Sequence, residues 1–266
     1  MKFSELKGKK NLLLVIDAQI DFVDISGKLY VMGAMDAMKR LCSFIDVYRN
    51  IGVISDITLT RDNHYITHIG TPFAWLEGNP RHIIDNYPIT ISAAQVEAGV
   101  YEPAYITKEE AIHYLKAIED RGEMHHIWPE HCLHGSTGQQ FPENLMSSLN
   151  LWARDMKRHY RIIDKGEYDG AEMYSAFSYA DGTSPSWATE VLNDMAEYDN
   201  IFVAGFAKDY CVRYTLIDLM NDPRFQGKLI ILDNCMAAIN TKCEATARLW
   251  EEIVKSFSAR IEDFPG

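Results

Sequence analysis

The sequence predicts an α/β fold: a three-layer α/β/α arrangement with a mainly parallel central sheet. Three observations predict it. Five short runs rich in Val, Ile and Leu each end at a polar residue or a glycine, as buried strands do. Segments of helical period lie between most of them, and strands that alternate with helices pair in parallel with both faces covered. Finally, 266 residues that are 47% hydrophobic can bury a substantial core.

Taken in order, residues 11–17 (NLLLVID) form the first predicted strand, and 34–49 a helix. A second strand follows at 53–60. Residues 70–126 then break the alternation with Pro72, Pro80, Pro88 and Pro103 and several aromatic residues. One helix is expected inside this stretch, at 108–121, with Thr107 as N-cap and Glu110 three residues on. So long a stretch is uncommon as bare loop, so it reads as an insertion that covers the crevice or makes a subunit contact. The alternation resumes with strands at 161–164, 200–205 and 228–233 and helices at 187–197, 211–220 and 242–257. In the last helix Ala245, Leu249, Ile253 and Phe257 fall four apart on one face. The whole, 1–266, reads as a single domain carrying the insertion at about 70–126.

Charge and composition exclude several classes. With 26 Lys and Arg against 38 Asp and Glu, the net charge of -12 has the wrong sign for a phosphate backbone, so no nucleic-acid partner is expected. No apolar run approaches the ~18 residues of a membrane helix, so no membrane partner is expected either. The basic start, MKFSELKGKKN, leads into LLLVID without a small-residue cleavage site, and a cytoplasmic location is the expectation. Five widely spaced cysteines with no CxxC pair argue against a disulfide framework or a thiolate zinc site.

The carboxyl ends of strands in such a sheet form the ligand crevice, which gives weight to the polar residues found there. Asp17 follows LLLVI directly, placed either as a general base or as a structural carboxylate accepting backbone N–H bonds. Asp21 fits the structural part better. Lys165 ends another strand. Cys211 opens a predicted helix just after IFVAG, where the helix dipole and a lysine, Lys165 or Lys208, favour a thiolate; the alternative is a small buried apolar residue. Cys42, Cys235 and Cys243 look like packing residues. The run TRDNHYITH brings Asp62, His64 and His68 within seven residues, and oxygen with imidazole suits zinc, iron or manganese. His131 is placed to complete a three-ligand site, while His125, His126 and His134 read as mostly solvated neighbours.

Together these segments resemble the nicotinamidase branch of the isochorismatase-like cysteine hydrolases. The matching motifs are DAQIDF (17–22), TRDNH (60–64), WPEHC (128–132) with GSTGQQF (135–141), KG and YSAF (165–177), GFAKDYCV (205–212) and ILDNCMAA (231–238), in family order. The resemblance implies a catalytic triad of Asp17, Lys165 and Cys211, and metal ligands Asp62, His64 and His131 with His68 as a further candidate. It also implies Phe22 and Trp128 beside the substrate ring, and backbone N–H groups of Ala207 and Cys211 as an oxyanion hole next to a cis Phe206–Ala207 peptide. One divalent metal is expected, zinc first, with iron or manganese as alternatives. The expected reaction is hydrolysis of nicotinamide to nicotinate and ammonia through a thioester, in nicotinamide salvage, by a homo-oligomer whose partner is a small-molecule amide substrate.

Departures from the family pattern lie at Asn63, at Lys208 and in EMYSAF, and the largest is the insertion before WPEHC. Two other readings remain at this point: a hydrolase of a carbamoyl or ureido compound using the same triad, and a catalytically silent assembly or binding protein.

Overall fold

The computed structural model describes residues 3–78, 82–85 and 87–264, the Ser4 side chain excepted. Met1 and Lys2 of the basic start and Pro80 of the insertion lie outside them. In chain order the elements are β1 (Asn11–Ile16), α1 (Ile20–Val23), α2 (Ala34–Ile51), β2 (Asp56–Asp62), β3 (Trp75–Glu77), β4 (His82–Ile83), β5 (Ile89–Ile91), α3 (Ala93–Glu97), β6 (Tyr101–Pro103), α4 (Lys108–Asp120) and β7 (His125–Ile127). There follow α5 (Glu143–Met156), β8 (Arg161–Lys165), α6 (Ala188–Ala196), β9 (Asn200–Phe206), α7 (Arg213–Met220), β10 (Leu229–Ala237), α8 (Glu244–Lys255) and β11 (Arg260–Glu262).

Six of these strands form one sheet in the order β11-β10-β9-β1-β2-β8, every pairing parallel. The period of two along each strand divides its side chains between two cores. Leu13 and Val15 of β1 join Ile57, Phe202 and Ile230 on one face, packed against Ala37 and Leu41 of α2 and Leu145, Leu149 and Trp152 of α5. Leu12, Leu14 and Ile16 face the other way, with Val203 and Ile231, against Val191 of α6, Leu216 of α7 and Ile253 of α8. This is the predicted three-layer arrangement. β1 is buried along its whole length because it lies inside the sheet under both helical layers.

The largest differences in strand boundaries from the sequence reading are three. The second strand begins at Asp56 instead of 53: Val53 and Ile54 are buried, but in the turn after α2, where the carbonyl of Ile54 accepts from Trp152 Nε1 at 3.3 Å. It continues to Asp62 because β8 pairs with it there, Asp62 opposite Lys165. The strand expected at 228–233 runs on to Ala237 past an irregularity in register. Both α5 and β11 were unassigned from sequence. The helix has its apolar residues at Leu145, Leu149 and Trp152, helical spacing that follows directly on a Gly- and Gln-rich motif.

The segment 70–126 builds a third core of its own around Trp75, Ile91, Val96, Leu115 and Ile118. Two small antiparallel sheets, β4-β3-β6 and β5-β7, hold it together. Its helix α4 starts as expected, with Thr107 and Glu110 forming a reciprocal capping box. At its base the N–H of Trp128 donates to the carbonyl of Gly70 at 3.0 Å, so the chain enters and leaves side by side. Among the described residues no helix is long and apolar enough to cross a membrane.

Candidate active site

The ends of β2 and β9 open onto a small cavity lined by Asp62, Ala207 and Cys211, and the ends of β1 and β8 pack beside them in the sheet. Close approach of β9 to β1 at this end requires glycine: Gly205 has φ +125°, and a Cβ there would stand 2.0 Å from the carbonyl oxygen of Ile16. The next residue of β1 is Asp17, wholly buried. Thr60, near the end of β2, donates its hydroxyl to Asp17 Oδ1 at 2.6 Å and accepts the Asp17 N–H at 3.1 Å. From β8, Lys165 Nζ reaches Asp62 Oδ1 at 2.6 Å, the Met173 carbonyl at 2.8 Å, Asp17 Oδ2 at 2.9 Å and Cys211 Sγ at 3.7 Å. Asp17, Lys165 and Cys211 therefore meet within direct contact. Asp17 Oδ2 has no aligned hydrogen-bond donor, although Lys165 Nζ stands 2.9 Å away as its ion partner.

The electrostatics follow from burying two carboxylates with one ammonium. Burial pushes Asp17 up to about 6, against the pull of Lys165. Burial likewise works to raise Asp62, but Lys165 and His64 outweigh it and hold the carboxyl below the usual range. Lys165 loses solvation too, yet Asp17 and Asp62 keep it well above an ordinary lysine. The Cys211 thiol is pushed well up by burial, with Lys165 opposing and the two carboxylates adding to the rise. Burial at Cys211 thus works against the thiolate that the helix start and the lysines were expected to favour. Cys211 also lies in a π-helical turn, Lys208–Val212, ahead of the regular helix, and Lys208 is engaged elsewhere, with Asp233 at 2.7 Å and over the Trp250 ring. The Phe206–Ala207 peptide is cis, and both Ala207 and Cys211 line the cavity.

Asp62, His64 and His131 present one ligand atom each, all within 4.8 Å of one another. Loop pairing brings them together: the His64 N–H donates to the Cys132 carbonyl at 3.1 Å and the His134 N–H to the His64 carbonyl at 2.8 Å. Each imidazole has its Nδ1 on a backbone carbonyl, His64 on Gly166 at 3.0 Å and His131 on Pro129 at 2.7 Å. A carbonyl only accepts, so Nδ1 carries the proton and Nε2 is the free donor atom, the orientation common in metal-ligating histidines. Gly166 is needed here: at φ +77°, a Cβ would stand 2.5 Å from the His64 ring. Two imidazoles and a carboxylate oxygen, all buried, fit one divalent metal with positions left open. His68 is not in this set. Both its ring nitrogens are used by backbone, Nδ1 accepting from Gly70 N–H at 3.1 Å and Nε2 facing the Ala171 carbonyl at 3.3 Å, and burial holds it well below an ordinary histidine.

Phe22 and Trp128 both line the cavity. Trp128 belongs to an aromatic wall with Tyr210, centroids 5.0 Å apart, and with Tyr174, whose hydroxyl accepts from Trp128 Nε1 at 3.0 Å. Phe22 is set edge-on to His131 at 5.4 Å. Asp21 is structural in geometry, accepting from the N–H of Cys132 at 2.6 Å and of Lys28 at 3.0 Å. Cys42 and Cys235 are buried and Cys243 is half-buried, all away from the cavity lining. Of the histidines expected to be solvated, His125 is buried on the Ile69 carbonyl at 3.0 Å, His126 is half-buried against Trp128, and His134 bonds Asn63 Oδ1 at 2.9 Å.

Sequence reasoning missed five contributors. Gln19 fixes Asp62 from both sides, accepting its N–H at 2.8 Å and donating to its carbonyl at 2.7 Å. Asp209 accepts the N–H groups of Ile239 and Asn240 at 2.9 and 2.7 Å and so sets the loop that brings Ile239 to the cavity. Tyr174, Tyr210 and Glu172 line the wall. The motifs DAQIDF and GFAKDYCV already contained Gln19, Asp209 and Tyr210; nothing in the sequence marked Glu172 beyond its departure from the pattern. No described residue of 70–126 lines the cavity, contrary to the expected cover. That segment buries its apolar residues in its own core and stands behind the wall through Tyr114, whose hydroxyl accepts the Glu172 N–H at 2.9 Å.

No protein-family model matches the chain. It is 25% identical to the nicotinamidase of Saccharomyces cerevisiae over 212 residues, 77% of this chain and 79% of that protein. It is 27% identical to the nicotinamidase of Acinetobacter baylyi over 136 residues, 51% of this chain and little more than half, 56%, of that protein. For the nicotinamidase of Escherichia coli the identity is 31% over 127 residues, 48% of this chain and 54% of that protein. In structure it is similar to the yeast nicotinamidase bound to the inhibitor nicotinaldehyde, with a TM-score of 0.65 and 21% identity over 95% of this chain and 99% of that one. The pyrazinamidase of Pyrococcus horikoshii in complex with zinc gives a TM-score of 0.55 at 21% identity, over 96% of this chain and 99% of that one. The chain thus has the nicotinamidase fold and resembles nicotinamidases in sequence.

Proposed function

We propose that this chain is a cysteine amidohydrolase that converts nicotinamide to nicotinate and ammonia through a thioester intermediate. The observation that carries the reading is the contact of Lys165 Nζ with both Asp17, at 2.9 Å, and Cys211, at 3.7 Å, beside three converging metal-type donors. The sequence similarity to nicotinamidases supports it.

The reaction begins with transfer of the Cys211 proton to Asp17 Oδ2, the carboxylate oxygen without an aligned hydrogen-bond donor. Lys165 stabilises the thiolate as it forms, and the sulfur attacks the carboxamide carbon. Backbone N–H groups of Ala207 and Cys211 bind the tetrahedral oxyanion. Asp17 then returns the proton to the departing ammonia, leaving the nicotinoyl thioester. In the second half Asp17 takes a proton from water, hydroxide attacks the thioester, and the thiol is reprotonated as nicotinate leaves. One carboxylate raised to about 6 suits both directions of transfer near neutrality.

Asp62, His64 and His131 would hold the divalent metal, zinc first and iron or manganese as alternatives, which when bound supplies a Lewis-acid contact that orients the pyridine nitrogen. Phe22 and the Trp128 wall confine the ring. In metabolism the reaction is a step of NAD salvage in the cytoplasm.

The test is ammonia release from nicotinamide, pyrazinamide, benzamide and a ureido compound, for the native protein and Cys211→Ala, with metal analysis of the same samples. Release from the pyridine and pyrazine amides, lost in Cys211→Ala, is expected. Turnover of the ureido compound alone, or full activity after chelation, overturns the reading.

A further inference from the structure

Glu172 is a buried carboxylate that the proposed chemistry leaves unused. It is 3% exposed and lines the cavity together with Trp128, His131 and Tyr174. Its Oε1 accepts the N–H of Met173 at 2.8 Å. Its Oε2 lies over Gly70, 2.4 Å from where a Cβ would stand, and no hydrogen-bond donor among the described residues reaches it. No lysine or arginine pairs with the group among the described residues, although buried carboxylates are ordinarily paired.

The backbone holds it firmly in place. The Glu172 N–H donates to the Tyr114 hydroxyl at 2.9 Å, and its carbonyl accepts from the Ala180 N–H at 2.8 Å. Glu172 shares the cavity lining with Phe22 and Trp128, the residues that confine the ring in the reading above. An acceptor fixed in a site lined by aromatic residues gains its partner from the ligand, and such a site discriminates strongly against ligands lacking the donor.

We infer that Glu172 is a specificity-determining residue that accepts a hydrogen bond from the edge of the substrate ring, so that the site takes nitrogen-heteroaromatic carboxamides bearing a ring amino group or ring N–H. The inference rests on the amidase reading above and names a substrate class within it. The unsubstituted ring has no such donor and leaves the carboxylate unused.

The experiment compares kcat/KM for nicotinamide and for its ring-amino derivatives, isomers of one another, in the native protein, Glu172→Gln and Glu172→Asp, with metal content measured in each. A hydrogen bond to a charged group corresponds to roughly a tenfold to hundredfold preference. At least one amino isomer is therefore expected to lose about that factor more than nicotinamide in Glu172→Gln, mostly in KM, at unchanged metal content. Glu172→Asp, which withdraws the carboxylate, should do the same. Merely structural damage lowers all substrates alike. Equal losses for every isomer, or a ratio that does not move, overturn the inference while leaving nicotinamide hydrolysis standing. Failure of the native protein to release ammonia from any of these amides overturns the amidase reading, and this inference with it.

Discussion

Replacing Lys165 by Met removes the charge that two buried carboxylates share while roughly keeping the length of the side chain. With Nζ at 2.9 Å from Asp17 and 2.6 Å from Asp62, each attraction is roughly 6 kcal/mol at an effective dielectric of about 20. Most of that offsets the cost of taking the charges out of water, and loss of one partner from a buried pair destabilises by about 3–5 kcal/mol. The deficit must depend on pH. Asp17, already pushed up to about 6 with the lysine present, rises further without it. A carboxyl raised in the folded state contributes stability that is complete below its unfolded value and is lost as pH rises through the folded one. The Lys165→Met deficit is therefore largest near pH 8 and shrinks toward pH 5, where protons replace the ammonium. Urea unfolding of both proteins at about pH 5 and about pH 8, with chelator present so that no metal compensates at Asp62, measures it. A deficit below about 1 kcal/mol at the higher pH, or one equal at both, refutes the claim that this lysine neutralises the pair.

The same carboxyl sets the acid limb of catalysis. Asp17 must be ionised to take the thiol proton, so kcat/KM for nicotinamide falls about tenfold per pH unit below about 6, and a profile flat through that range counts against Asp17 as the base. His131→Ala is expected to lose bound metal and to raise KM for nicotinamide more than it slows an activated ester without a ring nitrogen; equal losses on both substrates contradict separate anchoring and nucleophilic parts.

The sheet was readable because its strands are short, apolar and closed by polar residues, and the same feature placed Asp17 and Lys165 at strand ends. Helix α5 carries the periodicity of a helix at Leu145, Leu149 and Trp152, directly after a glycine-rich motif, and the sequence reading leaves it unassigned. The donor set illustrates the limit of spacing. Asp62 and His64 are neighbours in sequence, but His131 reaches them only through the pairing of the His64 and Cys132 loops, which no local pattern encodes. Histidine is intermediate in burial, so its type alone does not mark His125 as a core residue. Its burial follows from the alternation of β7, in which His125 and Ile127 point inward. Glu172 was illegible for a related reason: its position depends on Tyr114 and Gly70, both distant in sequence.

The junction at Gly70 and Trp128 has a consequence for how this protein can change over generations. Because a single backbone hydrogen bond joins the two points where the chain departs and returns, the segment between them is a handle on the body of the enzyme. The entropy of closing such a handle grows only logarithmically, so doubling its length costs about 0.6 kcal/mol. Its own core and its single backbone junction keep it apart from the strands that hold Asp17, Lys165 and Cys211, while Tyr114 and His126 tie it to the cavity wall. The one hydroxyl it extends to the Glu172 backbone then becomes the part on which selection for a different substrate can act.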